Sequence, residues 1–109
     1  MVESSESRQH VFKALSDPVR RRLLDELRVE PRTIGELAEP LDMTFAGAAK
    51  HIAVLEHAKL VRKEKRGREQ LCHLDPSPLG EVQLWLDQYQ AFWTARLDAL
   101  AHAIEEDEN

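Results

Sequence analysis

The sequence has few of the features that mark secreted or membrane proteins. Cys72 is its single cysteine, so the chain cannot form an intrachain disulfide. No segment approaches the roughly 20 consecutive apolar residues that cross a bilayer. The first ten residues, MVESSESRQH, lack the apolar run of a signal peptide. These absences predict a cytoplasmic protein with no membrane partner.

The chain is also short and rich in charge. Its 109 residues suit one domain with a modest core. Because 32% of the residues are charged, little apolar surface is left for a large ligand pocket. The five histidines show no common spacing, and neither a nucleophile elbow nor a Gly-rich phosphate loop occurs. We therefore expect a single domain over residues 1–109, without catalytic residues and without a cofactor.

The net charge of −5 is unevenly distributed along the chain. Residues 43–74 contain seven Lys or Arg against three Glu, a balance of +4. Residues 75–109 contain one Arg against eight Asp or Glu, a balance of −7. This distribution predicts one cationic surface that faces an anionic polymer, although a salt-bridged surface fits it too.

Two helices are predicted near the N-terminus. The first covers residues 5–15, and Asp17-Pro18 begins the second, because Asp caps free amides and proline is tolerated at the first helical position. Residues 20–22 are all arginine, at the end where a helix dipole disfavours cations. They form either a solvent-exposed face or a phosphate-facing cluster, in which Arg20 is the best candidate for a DNA contact.

Two short helices joined by a tight turn follow. Thr33 and Glu36 form a Thr-x-x-Glu capping box that begins the first, and Pro40 ends it. Thr44 is the natural N-cap of the second, which ends near residues 57–58. Residues 33–58 therefore match a helix-turn-helix, whose second helix can lie in the major groove of DNA.

One face of that second helix is built mainly of small residues. Gly47 lies in its interior although glycine costs about 1 kcal/mol there relative to alanine. A helix that enters a groove about 12 Å wide benefits from small residues where its backbone approaches the bases. Close packing of Gly47 against a neighbouring helix is the alternative explanation.

Residues 60–74, LVRKEKRGREQLCHL, predict a two-stranded hairpin because apolar and polar residues alternate around a glycine turn. The tip of this hairpin is basic, and it would contact phosphate or the minor groove. A solvated hairpin whose lysines protect its edge is the alternative. The residues expected to contact DNA are Arg62, Lys65, Arg66 and Arg68.

A long helix of about 40 Å is predicted over approximately residues 79–105. It contains four of the six aromatic residues, and its apolar side chains recur at near-heptad spacing. One small domain cannot cover so wide an apolar face, so part of it should pack against the same helix of a second chain. An intrachain core helix is the alternative. The residues assigned to the dimer interface are Phe12, Trp85, Tyr89, Phe92, Trp93, Leu97 and Leu100.

These elements, in the order helix, helix, helix-turn-helix, hairpin and terminal helix, define a mainly α winged helix-turn-helix fold. The motifs FKALSDPVRRRLLDEL, ELA followed by KHIAVLEHAKLV, and RGREQLCHL resemble the ArsR/SmtB transcriptional repressors over roughly residues 11–100. The segment SPLGEVQLWLDQYQAFWTARLDAL resembles the subgroup without metal sites. The resemblance implies a homodimer, joined through its terminal helices, that binds a palindromic double-stranded DNA operator.

The resemblance also assigns the residues that contact DNA. Thr44 would meet phosphate, Lys50 would reach guanine or phosphate, and His51 would be either a half-buried structural residue or a DNA contact. Lys59 stands where the family usually has glycine, which predicts a non-glycine residue at positive φ. The second helix is expected to present Thr44, Phe45, Ala46, Gly47, Ala49, Lys50 and His51 to DNA.

Many relatives of this family sense metals, and their ligands are missing here. Thr33 and Gly35 stand where arsenic sensors have Cys-x-Cys, and the zinc pattern survives only as His102 and Glu105. Cys72 is expected to be a small core residue rather than a redox switch. The sequence therefore predicts no metal site, and it leaves any small-molecule effector unassigned.

The preferred interpretation is a dimeric, sequence-specific repressor. The alternative is a winged-helix module that binds a protein partner and no DNA, and a small hydrolase is the weakest interpretation. A steep fall of DNA affinity with salt supports the first, because each neutralised phosphate releases counterions.

Overall fold

Helices and three short strands make up residues 2–108, the part of the chain that the computed structural model describes. The helices are Val2–Leu15 (α1), Pro18–Val29 (α2), Ile34–Ala38 (α3), Phe45–His57 (α4), Leu79–Asp87 (α5) and Gln90–Glu108 (α6). The strands are Arg32–Thr33 (β1), Val61–Arg66 (β2) and Glu69–Leu74 (β3), and a 3-10 turn at Glu39–Leu41 follows α3. This order confirms the winged helix-turn-helix fold, with α1 beginning earlier than the predicted residue 5.

The core lies where the first four helices meet the sheet. Ala48, Ile52 and Leu55 face it from α4, at the spacing of one helical face. This leaves the opposite side of α4 in solvent. The buried residues are Val11, Ala14, Leu23, Leu24, Leu27, Ile34, Leu37, Ala38, Ala48, Ile52, Leu55, Ala58, Leu60, Val61 and Cys72.

The sheet is antiparallel, with the strand order β1-β3-β2. Strands β2 and β3 form the predicted hairpin, called the wing below, and Gly67 occupies its turn with a φ of 61°. Strand β1 was not predicted; it pairs Thr33 with Leu71 of β3. Two residues are too few to show an alternating pattern, and Thr33 also caps α3.

The long C-terminal helix predicted over residues 79–105 is divided into α5 and α6. At the division, Gln88 N–H donates to the Trp85 carbonyl at 3.2 Å and Tyr89 N–H donates to the Leu86 carbonyl at 2.9 Å. Both bonds span three residues instead of four, so one turn is tightened. No glycine or proline marks this turn, which is why the sequence did not reveal it.

Helix α6 extends away from the core. The radius of gyration is 18.8 Å and the longest dimension is 66 Å, whereas a compact domain of this size has a radius of about 13 Å. Every α6 side chain described is exposed. None of the helices within residues 2–108 is long and apolar enough to cross a membrane.

Helix α4 ends in a Schellman motif. Leu60 N–H donates to the Leu55 carbonyl at 3.0 Å, and Lys59 N–H donates to the Glu56 carbonyl at 2.9 Å. Lys59 has a φ of 66°. This confirms the predicted positive φ at a residue that is not glycine.

We expect Lys59→Gly to raise the free energy of unfolding by about 1 kcal/mol, because a non-glycine residue in the left-handed region costs roughly 1–2 kcal/mol. The greater freedom of glycine in the unfolded chain offsets part of this gain. Urea denaturation at fixed protein concentration measures the change. Lys59→Ala keeps the backbone strain and serves as the control; equal stability of the glycine and alanine variants would contradict the argument.

Candidate nucleic-acid interface

The first turn of α4 is closed by its own cap. Thr44 Oγ1 accepts a hydrogen bond from the Gly47 amide at 3.0 Å, as predicted. A Cβ on Gly47 would lie 3.1 Å from Thr44 Oγ1 and 3.6 Å from Met43 Cε. A side chain at position 47 would therefore crowd the capping hydroxyl of Thr44, which glycine avoids. The alternative that Gly47 packs against a neighbouring helix is wrong.

The structure brings most of the α4 residues predicted to contact DNA onto one side of the helix. Phe45, Ala46 and Lys50 are exposed together with Thr44, and Ala49 is half-exposed beside them. Ala46 and Lys50 lie opposite the buried face of α4, whereas Phe45 and Ala49 lie at its edge. Most side chains on this exposed side are small, and Lys50 contributes its one long cationic side chain.

Arg20 does not face solvent in the way that the sequence interpretation required. Only 12% of its side chain is exposed. Its Nε donates to the Ala14 carbonyl at 2.7 Å, and its Nη2 donates to the Lys13 carbonyl at 2.8 Å. This geometry does not favour the phosphate contact predicted for Arg20, because its guanidinium is already bound to the end of α1.

Arg20 and Arg21, in the first turn of α2, both bind carbonyls at the C-terminus of α1. Arg21 Nη1 donates to the Leu15 carbonyl at 2.6 Å, one residue beyond the carbonyls that Arg20 binds. The last carbonyls of an α-helix have no intrahelical partner and carry the negative end of its dipole. These α1 carbonyls lie next to the start of α2. Cations are therefore favourable at the start of α2, although the dipole of α2 itself disfavours them there.

The same guanidinium holds His51 on α4. Arg20 Nη1 lies 3.4 Å from His51 Nδ1 and 3.7 Å from Asp17 Oδ2. A guanidinium only donates, so a hydrogen bond between these two groups has Nδ1 of His51 as its acceptor. His51 is half-buried. The structure therefore supports the structural interpretation of His51 and joins α1, α2 and α4 at one point.

Asp17 completes this junction as the N-cap of α2. Its side chain accepts from the Val19 amide at 2.7 Å. Partial burial alone would raise the pKa of Asp17, but the hydrogen bonds from the Val19 and Arg20 amides, together with the Arg20 charge, hold it below the ordinary value. The carboxylate is thus kept in the ionised form that caps the helix.

A cleft of about 470 Å³ separates α4 from the wing. Its walls are Phe45 and Ala49 of α4, Lys63, Arg68, Glu69 and Gln70 of the wing, and Thr33, Ile34 and Gly35 at the start of α3. Gln70 was not predicted as a site residue. Gln70 pairs in register with Lys65 of β2. Its position opposite a cation of the predicted hairpin was the only feature of the sequence that could have indicated a site residue.

The four wing cations predicted to contact DNA lie on two faces of the ribbon. Lys65 lies on the same face as Lys63, which lines the cleft, whereas Arg62 and Arg66 alternate onto the other face. Arg68 lines the cleft directly. The structure therefore brings Lys65 and Arg68 toward the exposed side of α4 and does not bring Arg62 and Arg66 there.

Acidic side chains neutralise part of the other wing face. Arg66 Nε lies 3.2 Å from Glu64 Oε1, and His73 Nε2 lies 3.3 Å from the same oxygen. The hydrogen bond with His73 lowers the pKa of Glu64; burial opposes this effect and the Arg66 charge adds to it. Among the described residues, Lys65 and Arg68 form no salt bridge. Within residues 2–108, Arg62 is unpaired as well, but it alternates onto the wing face that turns away from the cleft. On the side of the wing that faces α4, Lys65 and Arg68 are therefore the cations available to a phosphate.

Cys72 is fully buried in the core. Burial raises the pKa of its thiol, which disfavours the reactive thiolate. Its neighbour in sequence, His73, points to the other face of β3 and contacts Glu64. Within residues 2–108, no group of three or more His, Cys, Asp or Glu side chains is placed to hold a metal ion.

The residues assigned to a dimer interface fall into two groups. Phe12 and Trp85 contact each other within one chain, with ring centroids 5.4 Å apart, and Trp85 contacts Tyr89 at 5.3 Å. These aromatic rings join α1 to α5. The second group is a continuous apolar face on α5 and α6, called the C-terminal face below. Its exposed residues are Leu86, Tyr89, Phe92, Trp93, Leu97, Leu100 and Ile104.

Known proteins are similar to this chain in both sequence and fold. A family described as a helix-turn-helix domain matches residues 15–64. The chain is 32% identical over 99 residues to the HTH-type transcriptional regulator Rv2034 of Mycobacterium tuberculosis, covering 91% of this chain and 90% of that protein. It is 30% identical over 77 residues to the transcriptional repressor SdpR of Bacillus subtilis, covering 71% and 86%. The crystal structure of the ArsR family transcriptional regulator RHA00566 aligns with a TM-score of 0.75 at 38% identity, covering 83% of this chain and 93% of that one.

A helix-turn-helix followed by a cationic wing defines the winged helix-turn-helix class of DNA-binding proteins. Within this class, the chain belongs to the ArsR/SmtB family of transcriptional regulators. The resemblance noted in the sequence is thereby confirmed, and the protein is a DNA-binding regulator of transcription.

Proposed function

We propose that the chain is a cytoplasmic homodimeric repressor that binds an inverted-repeat operator and has no enzymatic activity. Residues 1–109 act as a single winged helix-turn-helix domain, with the helix-turn-helix at 33–58 and the wing at 60–74. Helix α4 enters the major groove, and the wing contacts the flanking backbone. The observation that carries this proposal is the exposed side of α4, which lies next to the wing face that carries Lys65 and Arg68, both without a salt bridge among the described residues.

Helix α4 supplies both positioning and specificity in this proposal. Thr44 and the amides of the first turn bind a phosphate, because a helix N-terminus favours anions. Lys50 reaches guanine or phosphate. Phe45, Ala46, Gly47 and Ala49 bring the helix close to the base edges.

The C-terminal face supports dimerisation. It extends over two helices without being covered by its own chain, and contiguous exposed apolar patches of this size mark interfaces. A twofold dimer places the same face of both chains together. Two copies of α4 then face successive major grooves, which matches an operator with two inverted half-sites.

Selection of random duplex DNA by the purified protein at near-physiological salt tests the proposal. An enriched inverted repeat, with half-sites about 10 base pairs apart or a multiple of this distance, is the expected result. DNA retained without sequence enrichment would contradict operator recognition. No retention at any salt concentration would favour the protein-binding module instead.

The wing makes a separate prediction. The double variant Lys65→Ala/Arg68→Ala should weaken binding to specific and random duplexes by a similar factor, because phosphate contacts carry no sequence information. The slope of log affinity against log salt should become less steep by about 0.9 for each phosphate that is no longer neutralised. Fluorescence anisotropy over a salt series measures both quantities.

Arg62→Ala/Arg66→Ala is the matched control for the wing, since it removes the same charge from the face that turns away from the cleft. We expect a smaller loss of affinity and a smaller change in slope for this variant. A larger effect than that of Lys65→Ala/Arg68→Ala would show that the other face of the wing meets the DNA.

A further inference from the structure

Phe45 is exposed at a place that neither the core nor the proposed dimer explains. It is the first residue of α4, and 63% of its surface is in contact with solvent. The C-terminal face lies on α5 and α6, whereas Phe45 lines the cleft between α4 and the wing. A single exposed apolar side chain needs no partner by itself. Phe45 differs from the others because it lies on the cleft beside the exposed side of α4.

The exposed side of α4 offers few hydrogen bonds for reading bases. The Thr44 oxygen already accepts the Gly47 amide at 3.0 Å. Ala46 and Ala49 contribute methyl groups only. Between residues 44 and 50, Lys50 is the one long polar side chain on the exposed side. Sequence discrimination by the first turns of α4 must therefore depend largely on apolar contact.

The major groove contains one apolar group that distinguishes a base. Thymine presents a 5-methyl group there, whereas the edges of adenine, guanine and cytosine present hydrogen-bond donors and acceptors. Phe45 and Ala49 form a continuous apolar wall of the cleft, one helical turn apart. Arg68 lies on the wing wall of the same cleft, where it can bind the phosphate strand that borders the groove.

We propose that Phe45, supported by Ala49, recognises one thymine in each operator half-site through contact with the 5-methyl group. The proposal rests on the proposed function and adds the base that this part of α4 reads. Lys50, in the next turn of α4, remains the residue that can donate a hydrogen bond to a base. The capped start of α4 determines how deeply Phe45 enters the groove. The cleft determines the direction of its side chain.

Deoxyuridine substitution tests this contact, because uracil differs from thymine only by the missing methyl group. Each thymine of the selected operator is replaced at symmetric positions in both half-sites, and affinity is measured for the wild type. We expect one position to lose about 15-fold, since burying one CH₂-sized group contributes about 0.8 kcal/mol, or about fourfold, in each half-site. 5-Methylcytosine placed at that position should bind more tightly than cytosine.

The same duplexes are then measured with Phe45→Ala, Phe45→Leu and Val29→Ala. Phe45→Ala should bind thymine and uracil operators with nearly equal affinity, and Phe45→Leu should keep part of the preference. Val29 is 73% exposed at the end of α2, away from the cleft, so Val29→Ala should keep the full preference. Because Phe45 is outside the core, the melting temperature of Phe45→Ala should match that of the wild type.

Several results would overturn the proposal. An operator without thymine in its half-sites, or one whose thymines all tolerate uracil, excludes a methyl contact while leaving the proposed function intact. A full thymine preference in Phe45→Ala assigns the contact to another residue. If the wild type selects no inverted repeat, the proposed function fails and this inference fails with it.

Discussion

Leu97→Glu is expected to convert the proposed homodimer to a monomer at micromolar concentration. Leu97 exposes 63% of its surface in the single chain and lies in the middle of the α6 part of the C-terminal face. Burying a leucine contributes roughly 2–3 kcal/mol, and a twofold interface loses this contribution from both chains. The dissociation constant should therefore rise about a thousandfold, from a loss of about 4 kcal/mol at 1.4 kcal/mol per factor of ten. Operator binding should weaken with it.

Sedimentation velocity over a concentration series measures this change. Ala95→Glu is the matched control, because Ala95 lies with Ala91, Thr94 and Asp98 on a different side of α6. Ala95→Glu adds the same charge to the same helix but outside the C-terminal face, so it should leave the dimer intact. A dimeric Leu97→Glu, or a monomeric Ala95→Glu, would place the interface on another surface.

Arg20→Ala is expected to lower the free energy of unfolding by about 2–3 kcal/mol. The substitution removes two hydrogen bonds of a charged donor to the Lys13 and Ala14 carbonyls, and such bonds contribute about 1.5–3 kcal/mol each before solvent replaces part of them. It also removes the contact with His51 of α4. Thermal or urea denaturation at one protein concentration measures the loss, since a dimer's stability depends on concentration.

Two further variants separate the structural role of Arg20 from a DNA contact. Arg22→Ala removes an exposed charge from the same helix and should change stability by less than about 0.5 kcal/mol. Arg20→Lys keeps the charge but loses the planar fork, so it should recover little of the stability. Unchanged stability of Arg20→Ala combined with weaker DNA binding would restore the phosphate contact expected from the sequence.

The candidate site was partly readable from the sequence. The capping residues Thr33 and Thr44 placed the start of both short helices correctly, because a cap acts on amides two or three residues away. The glycine of the wing turn and the alternation of β2 and β3 placed the hairpin. Lys59 was correctly expected at positive φ from its position between helix and wing.

The sequence could not assign the cations to their partners. A row of arginines has the same pattern whether it meets phosphate, water or the end of a helix. Arg20 and His51 are separated by 31 positions and meet only in the folded chain. The same limit applies to the wing, where the direction of each face depends on how the ribbon packs against α4.

By itself, the sequence determined the order of the main elements, the family of the protein and the apolar character of the C-terminal helices. These properties follow from caps, breakers and periodicities, which act over a few residues. The tertiary structure alone decided that Arg20 binds the end of α1, that a third strand joins the sheet, that α5 and α6 are separate, and that Phe45 faces a cleft shared with the wing. Each of these depends on contacts or hydrogen-bond geometry that the order of residue types does not specify.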